Sequence, residues 1–175
     1  MSKLLLLPTL LCLLLAPICF GASNNPLAGA AAKKAIVLVF IVRDCPISNA
    51  YAPELQRLYA RYAPRKIGFA LIYPEPDITL ADARKHAKQF GYACPVFLDP
   101  SHRWARRAGA TMTPEAVVFS PQGRLLYRGR IDDLYVGWGK RRPQATRHDL
   151  RDALDAILSG KPVPAPRTTA IGCFI

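Results

Sequence analysis

The stretch Ala35-Ile-Val-Leu-Val-Phe-Ile-Val42 is eight residues without a polar side chain, and it stops at Arg43-Asp44-Cys45-Pro46. A run this short, rich in Val and Ile and free of polar alternation, predicts a strand buried on both faces of a sheet. Pro46 fits the first position of a helix, where a missing N–H costs nothing and φ is already helical. Cys45 therefore stands where a buried strand hands over to a helix. The positive end of a helix dipole favours thiolate over thiol, and the thiolate is the reactive form. The position points to redox or nucleophilic chemistry. The plainer reading is a packed cysteine at a strand end.

The first residues predict no part of the fold. Met1-Ser-Lys3 is a basic start, Leu4 to Leu15 is leucine-rich, and small residues follow at Gly21-Ala22-Ser23. This is the pattern of a signal peptide over residues 1–22, short for a stable membrane span. The expected setting is export, to a periplasm or outside the cell, with an uncleaved membrane anchor as the lesser alternative. Residues 23–34 are small and polar and read as a linker. About 150 residues remain, enough for one domain with a real core. Of the five cysteines, Cys12 and Cys19 leave with the signal, so Cys45, Cys94 and Cys173 remain. An odd number leaves at least one thiol free or paired with another molecule. Three are too few for a disulfide-stapled scaffold, and no zinc spacing is present.

The net charge is +12. Basic residues gather at Arg103, Arg106 and Arg107, and from Lys140 to Arg147. A solvated basic face is the simpler reading, and contact with a membrane surface or an acidic partner is the functional one. No interleaving of aromatic and basic residues marks a nucleic-acid binder.

Along the chain, Pro46 opens a helix expected to run to about Tyr62. Ile67–Tyr73 is a second buried strand. Thr79-Leu-Ala-Asp82 is a capping box for a helix reaching about Phe90, with Gly91 at its C-cap. Pro95–Leu98 is a short strand, and a short basic helix from Ser101 ends at Gly109. Thr113-Pro114 precedes a strand over Ala116–Phe119. The turn Ser120–Gly123 then returns the chain through Leu125–Tyr127 towards Asp133. A loop from Leu134 to Ala145 follows. Thr146-Arg-His-Asp149 reads as a second capping box before a helix striped by Leu150, Leu154, Ile157 and Leu158. Lys161 to Pro166 begins a Pro-rich, semi-extended tail, 162–175. Parallel strands joined by right-handed crossovers, then a hairpin and a helix, predict an α/β sandwich with a mixed sheet.

Strand-Cys45-Pro46-helix followed by Thr113-Pro114-strand-turn-strand-helix resembles the thioredoxin-like superfamily. The Gly91–Pro100 passage and Thr113-Pro-Glu-Ala-Val-Val-Phe-Ser-Pro-Gln-Gly123 resemble its redoxin branch, which holds AhpC/TSA proteins and exported thiol–disulfide oxidoreductases. The resemblance spans 35–161. It implies a three-layer sandwich, Cys45 as attacking thiol, and Pro114 as a cis-proline facing it. Thr113 would offer its backbone to an incoming extended substrate, with Pro46 and Ser48 beside it. Partners would be protein or small-molecule thiols and disulfides, with no cofactor and no metal.

Two departures qualify this. Cys45-Pro-Ile-Ser48 lacks the second cysteine of a Cys-x-x-Cys motif, so it is a monothiol version. Ser48 could donate to the thiolate or be an inert helix-start residue. Asp44 places a carboxylate where the family often has an aromatic residue, and a carboxylate there would repel a thiolate. Cys94 precedes a strand expected to run parallel to the first, so it falls at the far end, about 13 Å away at ~3.3 Å per residue and beyond disulfide reach. Cys173 lies on a tail able to fold back, and it is the expected resolving or protective partner of Cys45, against a free or intermolecular thiol. The hairpin's return strand should bring Arg130 and Asp132 near Cys45, with Asp132 a candidate proton acceptor. His86, His102 and His148 read as surface histidines without metal-ligand spacing.

The leading activity is thiol–disulfide exchange through a mixed disulfide at Cys45. A peroxidase of the peroxiredoxin type is the second reading. In that family's Pro-x-x-x-Thr-x-x-Cys motif, however, Leu38 and Val42 stand at the Pro and Thr positions. A non-catalytic or metal-delivering module is third, with Asn49 where a second ligand cysteine would be.

Overall fold

In the first strand, β1 (Ala35–Phe40), every residue is buried. Alternate residues feed two separate cores, with Val37, Val39 and Ile41 on one face and Ile36, Leu38 and Phe40 on the other. A strand of period two with apolar residues on both faces must lie between two layers of helix, and it does. The computed structural model describes residues 25–175. The expected signal peptide, 1–22, lies outside the described residues.

The elements that follow are α1 (Pro46–Ala50), α2 (Ala52–Tyr62), β2 (Ile67–Tyr73), α3 (Leu80–Gln89), β3 (Val96–Leu98) and α4 (Arg103–Ala108). Next come β4 (Met112–Thr113), β5 (Glu115–Phe119), β6 (Leu125–Gly129), β7 (Tyr135–Gly137), β8 (Lys140–Arg141), α5 (Asp149–Leu158) and β9 (Cys173–Phe174). The main sheet runs β3-β2-β1-β5-β6. The β1–β2 and β2–β3 pairs are parallel, and β1–β5 and β5–β6 are antiparallel. Leu55, Leu58 and Tyr62 of α2, Ala83 and Ala87 of α3, and Leu150 and Leu154 of α5 pack on one face. Trp104, Ala105 and Ala108 of α4 cover the other. This is the three-layer, mixed-sheet sandwich expected from the sequence.

The segment read as a linker lies against this scaffold, with Leu27 and Ala30 packed on the α4 side. The tail also lies on the domain. It runs parallel to β6 at a bridge between Arg128 and Arg167, with Arg128 N–H donating to the Pro166 carbonyl and Thr168 N–H to the Arg128 carbonyl, both at 3.0 Å.

Four local expectations are corrected. The helix expected over 46–62 is divided at Tyr51, because Pro53 has no N–H for the carbonyl four residues earlier. The loop expected over 134–145 holds the β7–β8 hairpin, turned through Gly139 at φ 65°. The second capping box does not form. Thr146 gives its amide and hydroxyl to Asp133, each at 2.6 Å, and α5 starts at Asp149 with no side-chain cap. The return strand stops at Gly129, and Arg130 N–H turns instead to Thr168 Oγ1 at 3.1 Å. Thr79 does cap α3, with Asp82 N–H donating to Thr79 Oγ1 at 3.1 Å, and the Asp82 carboxylate accepts from the Thr79 hydroxyl.

Candidate functional site

The β1–α1 junction points the Cys45 side chain inward as the N-cap of α1. Ser48 N–H donates to Cys45 Sγ at 3.5 Å, which satisfies one of the unpaired amides at a helix start. Across from it the Thr113–Pro114 peptide is cis, and Cys45 Sγ–H reaches the Thr113 carbonyl at 3.3 Å. The tail then brings Cys173. β9 pairs antiparallel with β4, with Thr113 opposite Cys173 and Met112 opposite Phe174. Cys173 Sγ lies 2.7 Å from Cys45 Sγ as a hydrogen-bond donor, and both are free thiols.

The two sulfurs differ in acidity. Burial pushes the Cys45 thiol up, but hydrogen bonds from Cys173 and Ser48 outweigh it, so its pKa falls below the ordinary value. Burial and the neighbouring Cys45 push Cys173 up to about 12. The arrangement sets a more acidic thiol, Cys45, against a less acidic one, Cys173. Ser48 Oγ is fully buried without a hydrogen-bond partner, so the contact of Ser48 with Cys45 is made by its backbone N–H. Pro46 is exposed beside the pair, and Cys45 itself is only 1 % exposed.

Asp44 corrects the expectation of repulsion. Its side chain is 80 % exposed and lies 3.5 Å from the Arg43 guanidinium. Asp44 lies in the turn closed by Cys45 N–H to the Val42 carbonyl at 3.2 Å, which leaves its side chain in solvent while Cys45 faces inward. Arg130 is engaged elsewhere, with Nε 2.7 Å from Asp149 at the start of α5. Asp132 is buried but accepts from the Tyr51 hydroxyl at 2.6 Å and from Leu134 N–H at 2.9 Å, so it anchors the end of α1. Cys94 is buried, unpaired and pushed up to about 12 by that burial. It precedes β3, which runs parallel to β2 and β1, at the opposite end of the sheet from Cys45.

His86 overturns the surface reading. It is 4 % exposed, because α3 turns Ala83, His86 and Ala87 to one face. Its Nδ1 meets the Tyr73 hydroxyl at 2.8 Å and its Nε2 meets Asn49 Oδ1 at 3.0 Å. Asn49 Nδ2 then donates to the Arg43 carbonyl at 2.9 Å. This chain ties the Cys45 loop to the sheet. Glu75 supports the same loop by accepting Arg43 N–H at 2.9 Å. The i, i+3, i+4 spacing of small residues around His86 was the available signal. Gly172 sets how closely β9 can lie. A Cβ there would overlap the Thr113 carbonyl and lie 3.2 Å from Pro114 Cδ, so β9 can lie this close only with glycine.

Among the described residues, Glu54, Asp132 and His148 each offer one ligand atom within 4.8 Å of the others. Both carboxylates are already engaged, Glu54 with Arg57 and Arg151 and Asp132 with Tyr51 and Leu134.

The AhpC/TSA family model matches residues 23–128, a stretch that holds Cys45, Thr113 and Pro114 and ends before the tail. The chain belongs to the AhpC/TSA family. It is 32 % identical to a hypothetical protein from Sinorhizobium meliloti, over 85 % of this chain and 82 % of that one, with a TM-score of 0.73. An uncharacterized conserved protein from Geobacillus kaustophilus is 30 % identical, over 85 % of this chain and 80 % of that one, with a TM-score of 0.71. A protein from Chlorobium tepidum, provisionally named thiol:disulfide interchange protein DsbE, is 20 % identical over 75 % of this chain and 84 % of its own, with a TM-score of 0.58. That likeness shows the thioredoxin-like fold. No curated protein matches. This AhpC/TSA member thus has the fold of the thiol–disulfide oxidoreductases and carries a sulfur pair drawn from two distant stretches of chain.

Proposed function

We propose that this AhpC/TSA protein is an exported thiol–disulfide oxidoreductase in which Cys45 attacks and Cys173 resolves. The observation that carries the reading is the 2.7 Å approach of the two sulfurs, with the Cys45 pKa lowered and the Cys173 pKa raised. The Cys45 thiolate attacks one sulfur of a substrate disulfide. Its S–S bond breaks, one substrate thiolate leaves, and a mixed disulfide forms at Cys45. Cys173 gives its proton to the departing thiolate and attacks Cys45 Sγ. The second substrate sulfur leaves as thiolate, and the Cys45–Cys173 disulfide remains. The substrate gains two electrons and the sulfur pair loses two. An external dithiol restores the pair. Pro46, Ser48, Thr113 and Pro114 line the approach, with the Thr113 backbone as the pairing edge for an extended substrate. The leader-like residues 1–22 support export to an oxidising compartment, where such exchange has substrates.

Trapping tests the reading. Cys45→Ser should abolish covalent capture of a cystine-containing peptide, and Cys173→Ser should accumulate the Cys45 mixed disulfide. Unchanged capture in both variants refutes it.

A further inference from the structure

Under the proposed reading, a substrate strand pairs with Thr113 and its sulfur meets Cys45. Both places are already filled. β9 pairs with β4 at Thr113, and Cys173 Sγ occupies the approach to Cys45. Cys45 is 1 % exposed with this segment in place, and Gly172 is buried against the Thr113 carbonyl. The same backbone edge cannot pair with two chains at once.

We propose that the C-terminal segment Ile171–Ile175 is a built-in competitor for the substrate strand, which must leave the Thr113 edge before Cys45 can react with a protein disulfide. This inference rests on the exchange reading and adds the regulation of its site. The segment is built to dock and to release. Gly172 permits the close approach, Ile175 N–H donates to the Thr111 carbonyl at 3.1 Å, and Ile171 packs on the core. Yet β9 is two residues long, and Phe174 is 84 % exposed. A two-residue strand at a chain end has few contacts to lose and opens more readily than the core strands. The chain before it stays fixed, because Pro166 and Thr168 are bonded to Arg128. Residues beyond Thr168 can therefore swing out while Cys173 stays tethered near Cys45. The substrate takes the vacated edge and forms the mixed disulfide. The return of Cys173 expels it. In the resulting Cys45–Cys173 disulfide the strand is bonded covalently over the site, and reduction makes it displaceable again.

The test measures access to Cys45 and needs no turnover. Reduced full-length protein carrying Cys173→Ser keeps β9 without its sulfur. Its Cys45 is labelled with a bulky maleimide and the modified residue is mapped by mass spectrometry. The same measurement is made with Gly172→Val added, and on a chain ending at Ala170. At reagent concentrations where opening and closing are fast relative to labelling, the rate follows the open population, so both altered chains should label at least about tenfold faster. A synthetic peptide of residues 168–175 carrying Cys173→Ser should slow labelling of the shortened chain. Equal rates in all three chains overturn the proposal, as does a peptide without effect. If labelling behaves as expected while no form captures a cystine peptide, the exchange reading fails and the covering strand stands. If capture proceeds and the rates are equal, the reverse holds.

Discussion

The His86 network makes a quantitative prediction about the loop that carries Cys45. Replacing His86 by Phe keeps the ring contacts with Phe90 at 4.7 Å and Tyr92 at 6.2 Å. It leaves the Tyr73 hydroxyl and Asn49 Oδ1 without partners. A buried polar group left unsatisfied costs about 1–3 kcal/mol. Tyr73 is fully buried and Asn49 half-buried, so the two together should cost about 2–4 kcal/mol. Tyr73→Phe should cost about 1–2 kcal/mol by orphaning His86 Nδ1. In the double variant neither orphan remains on that bond, so its loss should fall short of the sum by about 1–2 kcal/mol. Urea unfolding at pH 7.5 measures this. At a slope of about 2 kcal/mol per molar urea, the His86→Phe midpoint should fall by about 1–2 M. The network also sets a pH signature. Burial lowers the His86 pKa below the ordinary value, so between the folded and unfolded pKa values the unfolded chain binds more protons. Stability is then complete above about pH 6.5 and declines as pH falls below it, by at most about 1.4 kcal/mol per unit. His86→Phe should lack that decline. Additive losses within about 0.5 kcal/mol, or an unchanged pH profile, refute the reasoning.

Three further expectations follow from the same geometry. Thiolate absorbance should show one step below the ordinary thiol range that disappears in Cys45→Ser, since Cys94 and Cys173 are each pushed up to about 12; an early step that survives the substitution refutes the assignment. Arg130→Ala should strand the Asp149 carboxylate, 3 % exposed, and lower stability by about 3 kcal/mol, with Asp149→Asn restoring part of it in a thermal melt. Burial alone would raise Asp133, but Thr146 and the Arg147 amide hold its carboxyl well below the usual range. The folded pKa is depressed, so its contribution is present above about pH 4 and lost on acidification; Asp133→Asn should flatten acid unfolding followed by circular dichroism.

Much of the site was legible because it rests on local signals. The unbroken apolar run of β1, the Cys45-Pro46 junction and the Thr79 cap each need only a few neighbouring residues. The docking of Cys173 on Cys45 was legible in outline, from a Pro-rich tail ending in Gly-Cys and two apolar residues. Other parts depend on partners far away in the chain. Thr146 had the spacing of a cap, but Asp133 offered its carboxylate to the same donors. Arg130 and Asp132 were expected near the sulfur through topology, yet each found an ionic or hydrogen-bond partner on another element first.

Sequence by itself determined the layers, the strand directions and the residue that caps α1, because hydrophobic period and helix-end chemistry act over a few residues. Only the tertiary structure decided that the chain's own last segment pairs as a strand with the Thr113 edge over this thiol. That outcome joins residues 45, 113 and 173 through packing and backbone pairing. Contacts across such separations depend on where every intervening element comes to rest, and no local pattern records that.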